Sequence, residues 1–207
     1  MYSQMRCCTS LLPAPSMAPS AVQVLDVARK AVEIFAKHGL KCCLTGGVAS
    51  HLYGVTRSPN DVDLVVLTTQ YDQEALKRIL VAADSRFYLV PSTNHQATYK
   101  VLWYRADLTF DPQAVYCGPE HRGRSHCKVD VLVPGGDLEI PDVPEGRIAT
   151  RSGLPVMPLV PQLMLKLQAW AHHRASSRED MWAKQYVDVR DRLVTADRCR
   201  RGGEEGG

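Results

Sequence analysis

The sequence predicts an α/β (α+β) fold: a small mixed β-sheet flanked by helices, followed by a C-terminal helical part. Three observations carry this reading. Short apolar, β-branched runs alternate with stretches of helical periodicity up to about residue 133, the pattern of a mixed α/β core. Beyond a proline-rich connector, the remaining periodic segments are helical. The chain has 207 residues and is 45% hydrophobic, enough to bury a core without disulfides.

The elements follow in order. Residues 1–19 hold Pro13, Pro15 and Pro19 among Ser and Ala and read as a flexible leader. Ser20 is placed to cap a helix in which Val24, Val27, Ala28, Ala31, Ile34 and Phe35 recur at helical spacing, and Gly39 ends it. Cys42-Cys43-Leu44 suits a buried strand, and after Gly46-Gly47 the run Val48–Tyr53 reads as one or two helical turns. Residues 54–60 form a loop. Val62–Leu67 is a strand, and Asp72–Ala83 is a helix with Leu76, Ile79, Leu80 and Ala83 on one side. Strands are expected at 87–90 and 99–104, a loop or insertion over 105–127, and a strand at 128–133 stopped by Pro134-Gly135-Gly136. Two helices, 159–173 and 178–195, close the chain. This divides it into a leader (1–19), a core (20–157), a helical part (158–198) and a disordered tail (199–207).

Bulk properties exclude several classes. A formal net charge of +3 is too small to mark a nucleic-acid footprint by itself. The seven cysteines are odd in number and form no regular disulfide framework. No run approaches the roughly 18 apolar residues of a membrane span, and no secretory signal is expected. The reading is an intracellular, cytoplasmic protein with reduced thiols and no membrane partner. Cys117, His121, His126 and Cys127 do not suggest zinc, because adjacent His126 and Cys127 chelate one tetrahedral ion poorly. Trp103, Trp170 and Trp182 are expected in packing rather than as base-stacking platforms.

The chemistry centres on Asp61-Val62-Asp63. Side chains alternate along a strand, so both acids share one face. Paired carboxylates repel unless a cation lies between them, and oxygen-only ligands suit Mg²⁺. Upstream, Leu44-Thr45-Gly46-Gly47 runs from a strand end into a glycine turn and a helix start, where backbone N–H groups can approach a phosphate. Downstream, Asp130 sits in the apolar run Val129–Val133, an expensive position for a carboxylate unless it is paired or binds metal.

Thr45-Gly46-Gly47-Val48-Ala49-Ser50, continued by Arg57-Ser58-Pro59-Asn60-Asp61-Val62-Asp63-Leu64, resembles the signature of the polymerase-β-like nucleotidyltransferase superfamily. Within it, the chain is most similar to AbiEii-type and MenT-type enzymes. Leu163–Ala169 with Lys166, and Lys184–Val189 with Asp188, resemble the lysine and Lys-Asp-x-x-Asp helices of that group, so the likeness covers residues 40–195. The resemblance implies a small nucleotidyltransferase core. It implies a two-metal site in which Asp61, Asp63 and Asp130 are ligands of two Mg²⁺ (or Mn²⁺), with Gly46, Gly47 and Arg57 as contacts of an NTP, and Lys166 and Asp188 as further catalytic residues. The reaction implied is transfer of an NMP to a hydroxyl of RNA such as tRNA, a protein or a small molecule, with release of pyrophosphate. The alternative is a catalytically inactive member of the fold that binds a nucleotide or a protein partner. A nucleotide-sugar glycosyltransferase is disfavoured, because only one helix and one strand precede the acid pair.

Overall fold

In a computed structural model the strands assemble into one seven-stranded mixed sheet. The structure describes residues 18–92, 98–106, 125–136, 138–179, 181–186 and 189. The elements in chain order are α1 (Ala21–Lys37), β1 (Cys42–Thr45), α2 (Gly46–Leu52), β2 (Asp61–Val66), α3 (Gln73–Ala83), β3 (Phe87–Pro91), β4 (Lys100–Ala106), β5 (Ser125–Leu132), β6 (Ala149–Arg151), β7 (Leu154–Val156) and α4 (Leu159–Ala175). The strand order is β3-β4-β5-β2-β1-β7-β6. β2 pairs in parallel with β5 and antiparallel with β1, which makes these three the centre of the sheet.

Local chemistry accounts for the helices. Ser20 and Gln23 form a reciprocal capping box on α1, and Asp72 caps α3 through the Ala75 amide at 2.7 Å. Both helices bury their apolar faces, including Val24, Val27, Phe35, Leu76 and Leu80, on one face of the sheet. They meet Val62, Leu64, Leu102, Cys127 and Val129 there. Lys77 of α3 is 6% exposed, and its ammonium donates to Glu74 at 2.7 Å and to the Lys100 carbonyl at 2.6 Å, which satisfies a charge inside that layer.

The opposite face is divided. One part is covered by Ile140, Val143, Met157 and Leu165, packed on Cys43 and Val65. The rest carries polar side chains and becomes the wall of a cleft. This two-faced design explains the alternation along β5: Ser125, Cys127, Val129 and Val131 are buried, while His126, Lys128, Asp130 and Leu132 are partly exposed.

Two differences from the sequence reading stand out. The proline-rich connector contains a hairpin, β6–β7, whose turn residues Ser152 and Gly153 have φ of 49° and 74°. Two successive positive values are what a tight hairpin turn of the primed type requires. Its strands are three residues long and carry no alternating apolar pattern, so periodicity could not reveal them. β5 begins at Ser125, three residues earlier than expected, because Ser125 and Cys127 continue the buried alternation without being strongly apolar. Residues 107–124, which hold Cys117 and His121, lie outside the described residues, as do the leader to residue 17 and much of the second C-terminal helix. Among the described residues Cys42, Cys43 and Cys127 are free and buried, and no helix is long and apolar enough to cross a membrane.

Candidate active site

The site grows from the register of the three central strands. Asp63 stands opposite Thr45 of β1 on one side and Asp130 of β5 on the other, while Asp61 stands opposite Lys128. Registered partners share a face, so the strand pairing alone brings three carboxylates together. One oxygen from each of Asp61, Asp63 and Asp130 lies within 4.8 Å of the others. Oxygens bound to a single Mg²⁺ at ~2.0–2.1 Å lie at most about 4.2 Å apart, so the donor set fits a hard divalent cation after small side-chain adjustments.

Asp63 is the innermost of the three. Burial first, then the charges of Asp61 and Asp130, push its carboxyl up to about 7, against a smaller opposing pull from Lys166 and Lys128. Lys128 donates to Asp130 Oδ2 at 2.5 Å. Burial pulls this ammonium down, but Asp130 and then Asp63 and Asp61 outweigh it, and its pKa is raised.

Gly46 has a specific structural task. It adopts φ 59°, a conformation that side chains rarely tolerate. A Cβ there would lie 2.7 Å from Asp63 Cγ and overlap its carboxylate oxygen. The bare backbone therefore makes room for Asp63 itself, a role beyond the phosphate contact read from the sequence. Gly47 is different, since a Cβ there would sit in ordinary contact, 3.6 Å from Arg57 and Pro59 and 3.9 Å from Asp61.

A buried amide fixes this turn against the C-terminal helix. Gln162 of α4 is fully buried. Its Nε2 donates to the Gly46 carbonyl at 2.9 Å and to Ser50 Oγ at 3.2 Å, and its Oε1 accepts from Thr45 Oγ1 at 2.8 Å. Ser50 Oγ also donates to the Gly46 carbonyl at 3.0 Å. One turn further along the same face, Lys166 is 8% exposed. The two described residues that α4 buries are thus both polar, and both face the site.

These groups line a cleft of about 700 Å³ that contains Gly46, Gly47, Arg57, Asp61, Asp63, Asp130 and Lys166 from the sequence-derived set. Asp188 lies outside the described residues. Lys128, Gln162, Thr45, His172, His173 and Lys184 also line it, and the sequence reading did not place them there. Lys128 had a usable signal, because it precedes Asp130 by two residues on a strand and must share its face. Gln162 had none, since a glutamine among helical apolar residues carries no mark of burial. Of the tryptophans, Trp182 is 46% exposed and meets Tyr186 edge-on, so it is not a core residue.

No protein-family model matches the chain, and no curated protein matches it in sequence. Solved structures do. An antigenic nucleotidyltransferase-like protein from Paracoccidioides brasiliensis superposes with a TM-score of 0.56 at 16% identity, over 85% of this chain and 76% of that one. The chain shares its fold with that protein. The antibiotic-resistance factor ANT(2'')-Ia is a more distant match, with a TM-score of 0.42 at 14% identity over 90% of this chain and 97% of that one. At these identities the likeness concerns the fold. The mixed sheet flanked by helices agrees with the fold class expected from the sequence.

Proposed function

We propose that the protein is a metal-dependent nucleotidyltransferase that transfers an NMP from an NTP to a hydroxyl acceptor and releases pyrophosphate. The observation that carries this reading is the convergence of Asp61, Asp63 and Asp130 in a cleft that Lys166 also lines, within a nucleotidyltransferase-like fold. Asp61, Asp63 and Asp130 would hold Mg²⁺ or Mn²⁺, which supplies electrostatic stabilisation of the charge that develops on the transferring phosphoryl group. The glycine turn would present its backbone to the triphosphate, with Arg57 and Lys166 meeting phosphate oxygens. Lys166 is buried on α4 and lines the cleft, so its charge would act on a bound triphosphate in a partly dry setting. The cleft volume lies within the range of small-molecule sites and suits a nucleoside triphosphate. AbiEii-like and MenT-like specificity belongs to this proposal, as do the role of Asp188 and an acceptor that is RNA, a protein or a small molecule.

The test is incubation with each α-³²P-labelled NTP and total RNA or protein, with and without Mg²⁺. Label should move from NTP to one acceptor class in the wild type and not in Asp61→Asn/Asp63→Asn. Lys166→Ala should lose most transfer while keeping its melting temperature, and Lys30→Ala, on the far side of the sheet in α1, should retain transfer. If the double asparagine variant labels acceptor at the wild-type rate, the proposal is wrong.

A further inference from the structure

The face that carries Asp130 also carries a cation of its own. Lys128 precedes Asp130 by two residues on β5, so both side chains leave the same side of the strand, and Lys128 stands opposite Asp61 in the β2–β5 register. Its ammonium is 2.5 Å from Asp130 Oδ2, with the two side chains 38% and 34% exposed, at the lip of the cleft. A second ammonium, Lys166, is buried on α4 and lines the same cleft as Asp63. Among the described residues, three carboxylates thus share the cleft with the ammonium groups of Lys128 and Lys166 and the guanidinium of Arg57.

This bears on how many ions the site can accept. Two-ion sites hold their metals ~3.5–4 Å apart, with carboxylate oxygens shared between them. Here one of the two oxygens of Asp130 is engaged by Lys128. A second dication beside Asp130 would either displace that ammonium or meet its full charge at ion-pair range, where like charges repel most strongly. The first ion is weakened by the same ammonium but not excluded, because one oxygen from each of Asp61, Asp63 and Asp130 can reach it together.

We infer that the acidic cluster takes a single divalent cation, and that the Lys128 ammonium, paired with Asp130, stands in the place of a second. The inference rests on the metal-binding reading above. Lys128 is then a positioning residue that holds Asp130 and sets the ion count. A lysine that merely decorates the lip of the cleft would leave that count unchanged.

The experiment is titration of the full chain with Mn²⁺ alone, with bound ions counted by loss of the free Mn²⁺ electron paramagnetic resonance signal. Wild type and Lys128→Arg should bind one Mn²⁺ per chain. Lys128→Met should bind two, the first at least tenfold more tightly than wild type. Its metal-free form should also melt lower, and Mn²⁺ should raise its melting temperature more than it raises that of wild type. Lys128→Gln, which keeps a polar end, serves the same comparison if the methionine variant does not fold. Two ions on wild type, or one ion at unchanged affinity on a folded Lys128→Met or Lys128→Gln, would overturn the inference. Absence of Mn²⁺ from wild type and variants alike would overturn the metal reading beneath it, and this inference with it.

Discussion

Replacing Asp63 by asparagine removes the charge that the folded chain resists most, and the consequence for stability has a definite sign. In the unfolded chain this carboxyl titrates near 3.8, and in the folded protein it is pushed up to about 7 by burial and by Asp61 and Asp130. Between these values the unfolded state has released the proton and the native state has kept it. The unfolded state binds fewer protons, so stability falls as pH rises through that window, and the loss is complete above pH ~8. At ~1.36 kcal/mol per pH unit the ceiling is ~4 kcal/mol. The cleft is open to water, which screens the charge, and about half of that ceiling is the working figure. Asparagine has nearly the same shape and no charge. At pH 4 the metal-free wild type and Asp63→Asn should therefore be about equally stable. At pH 8 the variant should be more stable by ~2 kcal/mol, or roughly 4–8 °C in Tm for a chain of this size. Mg²⁺ added at pH 8 should restore the wild type and leave the variant unchanged, because only the former gains a ligand for its native state. Urea unfolding at pH 4, 6 and 8, with and without Mg²⁺, measures each quantity. A variant no more stable than wild type at pH 8, or a difference that does not grow with pH, would refute the reasoning.

Four further outcomes separate the roles of the glycine turn and of the buried Gln162 amide. Gly46→Ala should lose ~2 kcal/mol or more in thermal unfolding, because φ 59° costs a side chain ~1–2 kcal/mol and the new Cβ collides with Asp63. Gly47→Ala, whose Cβ would meet only ordinary van der Waals contacts on a helical backbone, should be neutral or stabilise by up to ~1 kcal/mol. Gln162→Leu should cost ~2–4 kcal/mol, since it strands the Thr45 hydroxyl and part of the hydrogen bonding at Gly46 and Ser50 in a dry environment. Adding Thr45→Val to Gln162→Leu should cost less than the sum of the two single changes, which a double-mutant cycle of denaturant midpoints would show.

Local sequence determined a large part of this protein. Ser20 with Gln23 and Asp72 with Ala75 set helix starts that depend only on residues three apart. The β-branched run after Asp61 declared a strand, and strict alternation placed Asp61 and Asp63 on one side of it before any partner strand was known. Alternation likewise put Lys128 on the face of Asp130, although that consequence had to be drawn from a residue that looked like an ordinary solvated lysine. The three-residue strands of β6 and β7 were too short to show a period, and only pairing with β1 and with each other makes them strands.

Tertiary structure decided what no spacing encodes. Asp63 and Asp130 are 67 residues apart in sequence, and the parallel β2–β5 register sets them side by side. Gly46 reads in sequence as a turn, and its requirement becomes visible only when the carboxylate of Asp63 occupies the space a Cβ would need. Gln162 and Lys166 interrupt an apolar helix, and periodicity assigns such residues to solvent. In the fold they form its buried face, because the surface opposite them is the polar turn and acidic cluster rather than a hydrocarbon core. Hydrophobic pattern records which residues avoid water on average. Whether a buried polar group finds its partner depends on distances between segments far apart in the chain, and those exist only once the sheet has formed.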